Sequence, residues 1–270
     1  MDERQAEGLS KRLTRRRMLQ VASGAGLAAV GLGACTSTPP AGDATQAPAT
    51  TSPEPTTPAG APPPPPEQPA APVKTAQLLC RNAWGAQPPR GPGKPNVPRR
   101  LTLHHTAAYL GDNSLAPSRL RQHQRYHQDT QGWIDIAYHI SVDRNGNLYQ
   151  LRDYNIVGDT ATNYDPTNHF LVVCEGNFEE EPLSEAQIDG VVTVFAWAVQ
   201  KFGINPATLQ GHRDASHDTA CPGTNLYALI TSGELERRIA ELADAGPVEL
   251  QEVCGAEAHA IVADIEAGRR

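Results

Sequence analysis

The chain has 270 residues, 23 of them basic and 30 acidic, and a formal net charge of −7. Its length suits one ordinary domain with tails, and a hydrophobic share of 39% excludes a polytopic membrane protein. Of the 24 prolines, 13 lie between Pro39 and Pro72 without a glycine repeat, which excludes a collagen-like chain. The first 34 residues hold six basic and three acidic side chains, so the remainder carries −10 and no nucleic-acid partner is expected.

Residues 1–35 have the pattern of an export signal. Three consecutive arginines, Arg15 to Arg17, precede a weakly apolar stretch at 21–34 that is too short to span a membrane permanently. This arrangement is typical of a twin-arginine export signal. The stretch ends in Leu-Gly-Ala-Cys, a lipobox-like sequence in which Cys35 would be acylated and anchor an extracytoplasmic lipoprotein to the cell membrane. The alternative is an ordinary secretory signal that leaves Cys35 as a spare thiol.

Residues 36–76 are rich in Pro, Ala, Thr and Ser and include five consecutive prolines at 62–66. Such a segment has too little apolar surface to offset the loss of chain entropy, which predicts a disordered, semi-rigid linker. Fully extended at roughly 3.1 Å per residue, it would reach about 130 Å. A proline-rich ligand for a binding module is the alternative, but that mode belongs more to cytosolic signalling than to an exported chain.

Four segments of the remaining chain predict β-strands. Residues 101–106 alternate apolar and polar side chains, which fits a half-buried strand. Residues 136–142 and 147–151 flank Asp-Arg-Asn-Gly, a turn signal that joins them as a hairpin. Residues 170–174 are continuously apolar, as expected for a central strand buried on both faces.

Helices are predicted between and after these strands. Ser184 and Gln187 match a capping box, and the apolar helix face that follows ends at Gly203. Interleaved strands and helices predict an α/β fold, with a central mixed sheet flanked by helices at 77–232 and a helical C-terminal extension at 233–270. The other predicted helices are 117–129, 234–243 and 256–267.

Histidine and cysteine residues mark one loop as a candidate metal site. His212 and Cys221 lie nine residues apart at the end of a short predicted strand, and His104 could add a third ligand. Imidazole and thiolate suit zinc, and a catalytic zinc site has three protein ligands and an open position. A His and a Cys in one loop bind no metal in most proteins, so the spacing alone decides nothing. His123 and His127 share a helix face but lack a third ligand, and they are interpreted as structural.

Five short motifs follow one another along the chain: RNAWGA at 81–86, LHHT at 103–106, WIDIAYH at 133–139, GHRD at 211–214 and TACPG at 219–223. They occur in the order found in type 2 N-acetylmuramoyl-L-alanine amidases, and the chain resembles that family from residue 81 to residue 227. The resemblance implies the fold that these amidases share with peptidoglycan recognition proteins and phage lysozyme-like amidases.

The resemblance also implies the residues of the site. By their positions in the motifs, His104, His212 and Cys221 would bind Zn²⁺, and Tyr138 would lie beside a zinc-bound water. Thr219 stands where the family has Lys or Thr near the developing oxyanion. Because Thr brings no charge, more of the oxyanion stabilisation would fall on the metal.

The implied reaction is hydrolysis of the amide between N-acetylmuramic acid and L-alanine in bacterial peptidoglycan, by a monomeric enzyme that faces the cell wall. Zinc would lower the pKa of its bound water from about 16 toward 7 and polarise the scissile carbonyl. His105 would be a structural or substrate-contacting neighbour of the metal. Many relatives carry Gly-Ala-His where this chain has VGDTATNY at 157–164, so the resemblance does not extend to the stem-peptide contacts of that loop.

Two other functions stay open on the sequence. A non-catalytic peptidoglycan-binding receptor would keep the groove and lose the chemistry, but such relatives typically lack the Cys ligand, whereas this chain has Cys221. An amide hydrolase for another small substrate is the third possibility, and the tether to a wall-facing membrane argues against it.

The remaining cysteines divide into a core thiol and a pair. Cys174 lies in the apolar strand and is interpreted as a buried thiol. Cys80 opens the domain and Cys254 lies in the tail, and an oxidising compartment would allow them to pair. We therefore hypothesise a Cys80–Cys254 disulfide that fastens the tail to the domain.

Overall fold

The computed structural model describes residues 72–270, in which seven β-strands form one mixed sheet. The strand order is β6-β2-β5-β3-β4-β1-β7, and among these strands only β3 and β4 pair in antiparallel fashion. The predicted export signal and most of the predicted linker lie outside the described residues. The strands are β1 (Lys74–Leu79), β2 (Arg100–His105), β3 (Ile140–Val142), β4 (Leu148–Gln150), β5 (His169–Cys174), β6 (Gln210–Gly211) and β7 (Val248–Val253).

Helices flank this sheet, which confirms the predicted α/β class. Residues 72–270 contain no helix that is both long and apolar enough to cross a membrane. The α-helices of this region are α1 (Ala116–Arg125), α2 (Glu185–Phe202), α3 (His212–Ala215), α4 (Thr224–Thr231), α5 (Glu234–Ala245) and α6 (Gly255–Glu266).

Apolar side chains pack on both faces of the sheet. Along β5, Val172 belongs to one core cluster and Val173 to the other, as the two-residue period of a strand requires. The first cluster is covered by α2, α4 and α5, and the second by α1 and α6. Strand β5 is buried along its whole length, as the apolar run at 170–174 predicts.

Strand β2 forms where the alternating segment predicts it, but it is more buried than a half-buried strand. All of its residues after Arg100 are buried, because helices and neighbouring strands cover both faces. Its polar side chains have partners inside the protein: Thr102 Oγ1 lies 2.8 Å from His169 Nδ1. The C-terminal end of β2 places His104 and His105 at the edge of the hydrophobic layers.

The predicted hairpin is present with shorter strands. The turn is built by Asp143, whose Oδ1 accepts hydrogen bonds from the N–H groups of Asn145 and Asn147. The predicted strand 136–142 is wrong for residues 136–139, because β3 begins only at Ile140. The N–H of Ala137 donates to the ring of His127 and not to a neighbouring strand.

Helix α2 begins and ends where its signals place it. Ser184 accepts a hydrogen bond from the N–H of Gln187 at 3.0 Å, and Gly203 ends the helix with φ of +65°. Only half of the predicted capping box forms. The Gln187 side chain donates instead to the carbonyl oxygens of Val142 and Glu175, which ties the helix to β3 and β5.

The C-terminal extension contains a strand as well as helices. Strand β7 pairs in parallel with β1, with Lys74 opposite Val248 and Leu79 opposite Val253. The prediction of a purely helical extension is therefore wrong at β7. The pairing also starts β1 at Lys74, inside the segment assigned to the linker.

A disulfide fastens this extension to the start of the domain. Cys80 follows β1 and is bonded to Cys254, which follows β7. The bond joins residues 174 positions apart in the sequence, and the structure confirms the hypothesised pairing. Cys174 and Cys221 are the free thiols of the described region, and both are buried.

Candidate metal centre and groove

The end of β2 supplies the first candidate ligand. His104 is 2% exposed, and its ring centroid lies 4.7 Å from that of His212 and 4.9 Å from that of Tyr138. Strand β6 pairs with β2 so that Gly211 lies opposite Leu103. This register places His212, the first residue of α3, beside His104.

The loop that carries Cys221 is held against α3 and β2. The backbone N–H of Arg213 donates to the carbonyl oxygen of Cys221 at 2.9 Å, and the Arg213 Nε faces the same oxygen at 3.5 Å. Gly223, with φ of +90°, has no room for a side chain. A Cβ there would lie 2.6 Å from the carbonyl carbon of Phe178 and 2.9 Å from His105 Nδ1.

The three predicted zinc ligands are brought together by these elements. The ligand atoms of His104, His212 and Cys221 lie within 4.8 Å of one another, and Cys221 Sγ lies 3.6 Å from His104 Nδ1. With Zn–S near 2.3 Å, Zn–N near 2.0 Å and tetrahedral angles, two such ligands of one zinc ion are about 3.5 Å apart. The other ring nitrogen of His104, Nε2, is buried without a hydrogen-bond partner among residues 72–270, so neither nitrogen of this ring is engaged by a strong protein hydrogen bond. The donor set and its spacing fit a zinc ion.

Burial sets the protonation of these groups. It lowers the pKa of His212 to about 4, and it lowers that of His104 well below the ordinary value, with a further contribution from nearby His212. Both imidazoles are therefore neutral near pH 7, the form in which one ring nitrogen has an available lone pair. Burial raises the pKa of the Cys221 thiol to about 12, against the effect of the His105 N–H at 3.4 Å from Sγ. A bound metal ion would reverse that rise, because a coordinated thiol loses its proton.

Two hydroxyl groups from the sequence prediction border the cluster. Tyr138 is half-buried beside His104, and burial raises its pKa, so the phenol stays protonated and able to donate. Thr219 Oγ1 accepts a hydrogen bond from the Cys221 N–H at 3.0 Å, which leaves the hydroxyl hydrogen available to a ligand. Both side chains face the same groove.

The cluster forms the floor of a groove of about 580 Å³. One wall comes from α1 and the π-helical turn Tyr126–Thr130 that continues it, where the sequence predicts an unbroken α-helix at 117–129. Thr106, Ala107, Asn177 and Glu179 also line the groove. Side chains of the first wall are His123, Tyr126, His127, Gln131 and Trp133.

The pair His123 and His127 lies in this wall. His127 Nδ1 accepts a hydrogen bond from the Ala137 N–H at 3.2 Å, and its ring lies 4.7 Å from that of Trp133. Within residues 72–270 neither histidine belongs to a cluster of three metal-ligating side chains. Their place in the groove was not predicted, because a four-residue spacing shows only that two side chains share a helix face.

His105 lies outside the three-residue cluster. Its Nδ1 accepts a hydrogen bond from the Phe178 N–H at 3.3 Å, and the two rings stack with centroids 6.1 Å apart. Its own backbone N–H points at Cys221 Sγ. The residue supports the cluster through the backbone and faces the groove with its ring, as a neighbour of the metal site would.

Other residues support the cluster but received no role from the sequence, although Arg213 and Asp214 belong to the GHRD motif. Asp214 accepts hydrogen bonds from the Gly211 N–H at 2.7 Å and from the Tyr227 hydroxyl at 2.5 Å, which fixes the turn before His212. Glu179 pairs with Arg213 at 3.1 Å. From the other side, Thr162 contacts the His212 ring.

Comparison with known proteins identifies the domain. A family model described as N-acetylmuramoyl-L-alanine amidase (Amidase_2) matches residues 93–224. Peptidoglycan-recognition protein SC2 of Drosophila melanogaster is 30% identical over 155 residues, which cover 56% of this chain and 82% of that protein. The chain belongs to this amidase and peptidoglycan recognition protein family. The resemblance indicated by the five motifs is thereby confirmed.

Members of the family include proteins named for catalysis and for recognition. The human N-acetylmuramoyl-L-alanine amidase is 36% identical over 158 residues, 56% of this chain and 27% of the human protein. The structure of a Drosophila PGRP-LB mutant in complex with tracheal cytotoxin is 29% identical with a TM-score of 0.51, and the match covers 57% of this chain and 93% of that one. The match to the amidase family model ends at residue 224, so α5, β7 and α6 lie beyond it.

Proposed function

We propose that this chain is a zinc-dependent N-acetylmuramoyl-L-alanine amidase that hydrolyses the amide between N-acetylmuramic acid and L-alanine of the peptidoglycan stem. The observation that carries the proposal is the group His104, His212 and Cys221, whose ligand atoms lie within 4.8 Å of one another on the floor of an open groove. A relative named as this amidase is 36% identical across the domain.

In this proposal the three side chains hold Zn²⁺, which when bound supplies a Lewis acid for water activation and carbonyl polarisation. Tyr138 and Thr219 donate hydrogen bonds to the oxygen that gains negative charge when the amide carbon becomes tetrahedral. Burial keeps the Tyr138 phenol protonated for that task. Thr219 is oriented by the Cys221 N–H, so its donor direction is tied to the ligand loop.

The groove walls suit a glycopeptide substrate. Imidazole, phenol and indole faces from His127, Tyr126 and Trp133 line the groove and offer flat surfaces for sugar and peptide groups. A related PGRP-LB mutant binds tracheal cytotoxin, which is a monomeric diaminopimelic acid-type peptidoglycan. Peptidoglycan fragments are therefore the proposed substrate class.

A non-catalytic peptidoglycan-binding module is the second candidate, because several relatives are named as recognition proteins. The presence of Cys221 within the cluster favours catalysis, since a receptor needs the walls of the groove but not a third metal ligand. Both candidates predict binding to peptidoglycan, and only the amidase predicts cleavage.

Muropeptide mass spectrometry after digestion of purified peptidoglycan separates them. The amidase releases free stem peptides with an N-terminal alanine and leaves glycan strands without peptides, whereas a receptor binds the wall and releases neither. Cys174→Ala is the matched control for loss of the Cys221 thiol. It removes the other free thiol of the described region, which lies in the core on β5. That variant is expected to keep its cleavage activity, and stable binding without any released peptide would contradict the proposal.

We further propose that the chain is exported by the signal at 1–35, is lipidated on Cys35 and reaches the cell wall on its proline-rich linker. The support is the sequence, since these residues lie outside the described region. The expected result is a membrane-bound protein whose Cys35→Ala variant is released in soluble form. Equal membrane retention of the variant would contradict the anchor, and the Cys174→Ala variant serves as the control for loss of a thiol.

A further inference from the structure

The loop at residues 157–164 contacts a candidate zinc ligand. Thr162 Oγ1 lies 2.6 Å from His212 Nε2, and Thr160 Oγ1 lies 3.4 Å from the same nitrogen. The two hydroxyl groups are 2.8 Å apart, so one can bond the other. His212 therefore has a strong hydrogen-bond partner on one ring nitrogen and a weak second one.

The loop is fixed in place by contacts that do not involve His212. The buried guanidinium of Arg152 donates to the carbonyl oxygen of Val157 at 2.6 Å and to Asp159 Oδ2 at 2.5 Å. Gly158 lies so close to the sheet that a Cβ would be 2.2 Å from Leu171 Cδ1. The position of Thr162 is thus set by the sheet.

A histidine that binds a metal through one nitrogen carries a proton on the other, and the partner of that proton fixes both the tautomer and the ring orientation. The two histidines of the cluster differ in this respect. His104 Nε2 is buried without a partner in the described region, whereas His212 Nε2 faces the Thr162 hydroxyl. With Nε2 bonded to Thr162, Nδ1 is the ring nitrogen of His212 left for a metal.

We propose that Thr162 is a positioning residue for the metal centre: its hydroxyl oxygen accepts the Nε2–H of His212 and holds the ring with Nδ1 toward the metal. The inference rests on the proposed zinc site. It gives the loop at 157–164, which lacks the Gly-Ala-His element of many relatives, a role in this chain.

The test is the zinc affinity of the purified full chain, measured by competition with a chromogenic chelator. Thr162→Val keeps the side-chain shape and removes the hydroxyl, and we expect zinc to bind about 10- to 100-fold more weakly. Thr162→Ser restores the acceptor and is expected to restore the affinity. Thr160→Val should have a smaller effect, because its contact is long. Thr167→Val is the control. Thr167 lies in the same segment between β4 and β5, but its hydroxyl donates to Asp165, so this variant should bind zinc as the wild type does.

Cobalt substitution gives a second readout that loss of stability would not produce. At saturating Co²⁺, the visible absorption bands of Thr162→Val should shift, because the ligand ring is no longer held in one orientation, while those of Thr162→Ser should match the wild type. If Thr162→Val does not fold, Thr162→Ala replaces it.

The outcomes separate the two proposals. Zinc binding by the wild type with unchanged affinity and cobalt spectrum in Thr162→Val would overturn the role of Thr162 alone. Tighter zinc binding by Thr162→Val would overturn it as well, because the hydroxyl would then occupy the metal's place at Nε2. Failure of the wild type to bind zinc would overturn the proposed function and this inference together.

Discussion

The two edges of the sheet are built in different ways. At one edge β6 contributes only two residues, and the neighbouring segments bring together His104, His212 and Cys221. At the other edge the six-residue β7 pairs along all of β1, and the Cys80–Cys254 disulfide closes the end of the pair. One edge is arranged around polar groups, and the other around backbone pairing and a covalent bond.

The two edges also differ in the buried polar groups near them. Among the described residues six side-chain atoms are buried without a hydrogen-bond partner, and such atoms each cost about 1–3 kcal/mol. Two of them, His104 Nε2 and Glu175 Oε2, belong to β2 or directly follow β5, in the half of the sheet that carries the candidate metal centre. The β1–β7 edge has backbone pairing and the disulfide, and the Arg121–Glu266 ion pair joins α6 to α1, the helix that also forms a wall of the groove. We infer that the two edges contribute separately to chemistry and to stability.

The largest expected effect is on catalysis at the β6 edge. Tyr138→Phe removes one hydrogen-bond donor from the groove floor and should lower kcat about 100- to 1,000-fold, with zinc content unchanged. The measurement is the rate of stem-peptide release at saturating peptidoglycan, with zinc determined on the same samples. Tyr109→Phe is the control, because that tyrosine is exposed and lies outside the groove. A Tyr138→Phe enzyme with the wild-type kcat would remove this residue from the mechanism.

Removal of the Cys80–Cys254 disulfide tests whether stability at the β1–β7 edge is independent of the metal centre at the β6 edge. Replacing both Cys80 and Cys254 by Ala should lower the free energy of unfolding by about 2–4 kcal/mol, because the bond closes a long loop in the unfolded chain. Urea unfolding measures this loss. Zinc affinity and kcat of the folded double variant should match the wild type. Weaker zinc binding by that variant would show that the two edges are coupled.

Glu175, which directly follows β5, predicts a pH dependence of stability. Burial raises the pKa of its carboxyl to about 8, with the nearby charge of Asp143 in the same direction and the Ser141 hydrogen bond opposing. Between the ordinary pKa near 4.5 and pH 8 the unfolded chain has lost this proton and the folded chain has kept it. The contribution of Glu175 to stability is therefore complete at acid pH and falls by up to about 1.4 kcal/mol per pH unit as the pH rises.

Glu175→Gln keeps the acceptor for Ser141 and removes the titration. The difference in unfolding free energy between this variant and the wild type should shift in favour of the variant from pH 5 to pH 8, as measured by urea unfolding. Histidines with lowered pKa values titrate in the same interval in both proteins, so the difference between them isolates Glu175. A difference that does not change with pH would contradict the buried, protonated state of this carboxyl.

The smallest effect is expected away from both edges. Ser184→Ala removes the cap of α2 and should cost about 1 kcal/mol in unfolding free energy, with no change in zinc affinity or kcat. Ser118→Ala is the control: this partly exposed side chain of α1 donates only a local hydrogen bond to the Leu115 carbonyl oxygen, and the variant should stay within about 0.5 kcal/mol of the wild type. A cap effect on zinc affinity would mean that the helix layer influences the metal centre.

The sequence predicts the parts of this fold that local patterns specify. Neighbouring residues specify the apolar run of β5, the alternation of β2 and the cap signals of α2. The motifs identify the three candidate ligands. Strand β7 was missed because its buried residues, Val248 and Val253, are an odd number of positions apart and do not alternate. Its partner β1 is distant in the sequence.

The missing parts of the site depend on tertiary packing. Thr162 contacts His212 only because Arg152 and the close approach of Gly158 fix the loop on the sheet, and no local pattern encodes that arrangement. His127 lies in the π-helical turn that continues α1, and side chains of that turn line the groove. These contacts join segments that are far apart in the chain, which a single sequence does not reveal.

The central claim is that Cys221 completes a catalytic zinc centre, and the most direct test measures zinc content and peptidoglycan cleavage on the same samples of wild type and Cys221→Ser. The account predicts about one zinc per wild-type chain together with release of stem peptides, and loss of both in the folded variant. A Cys221→Ser protein that releases stem peptides at the wild-type rate with zinc still fully bound would contradict it.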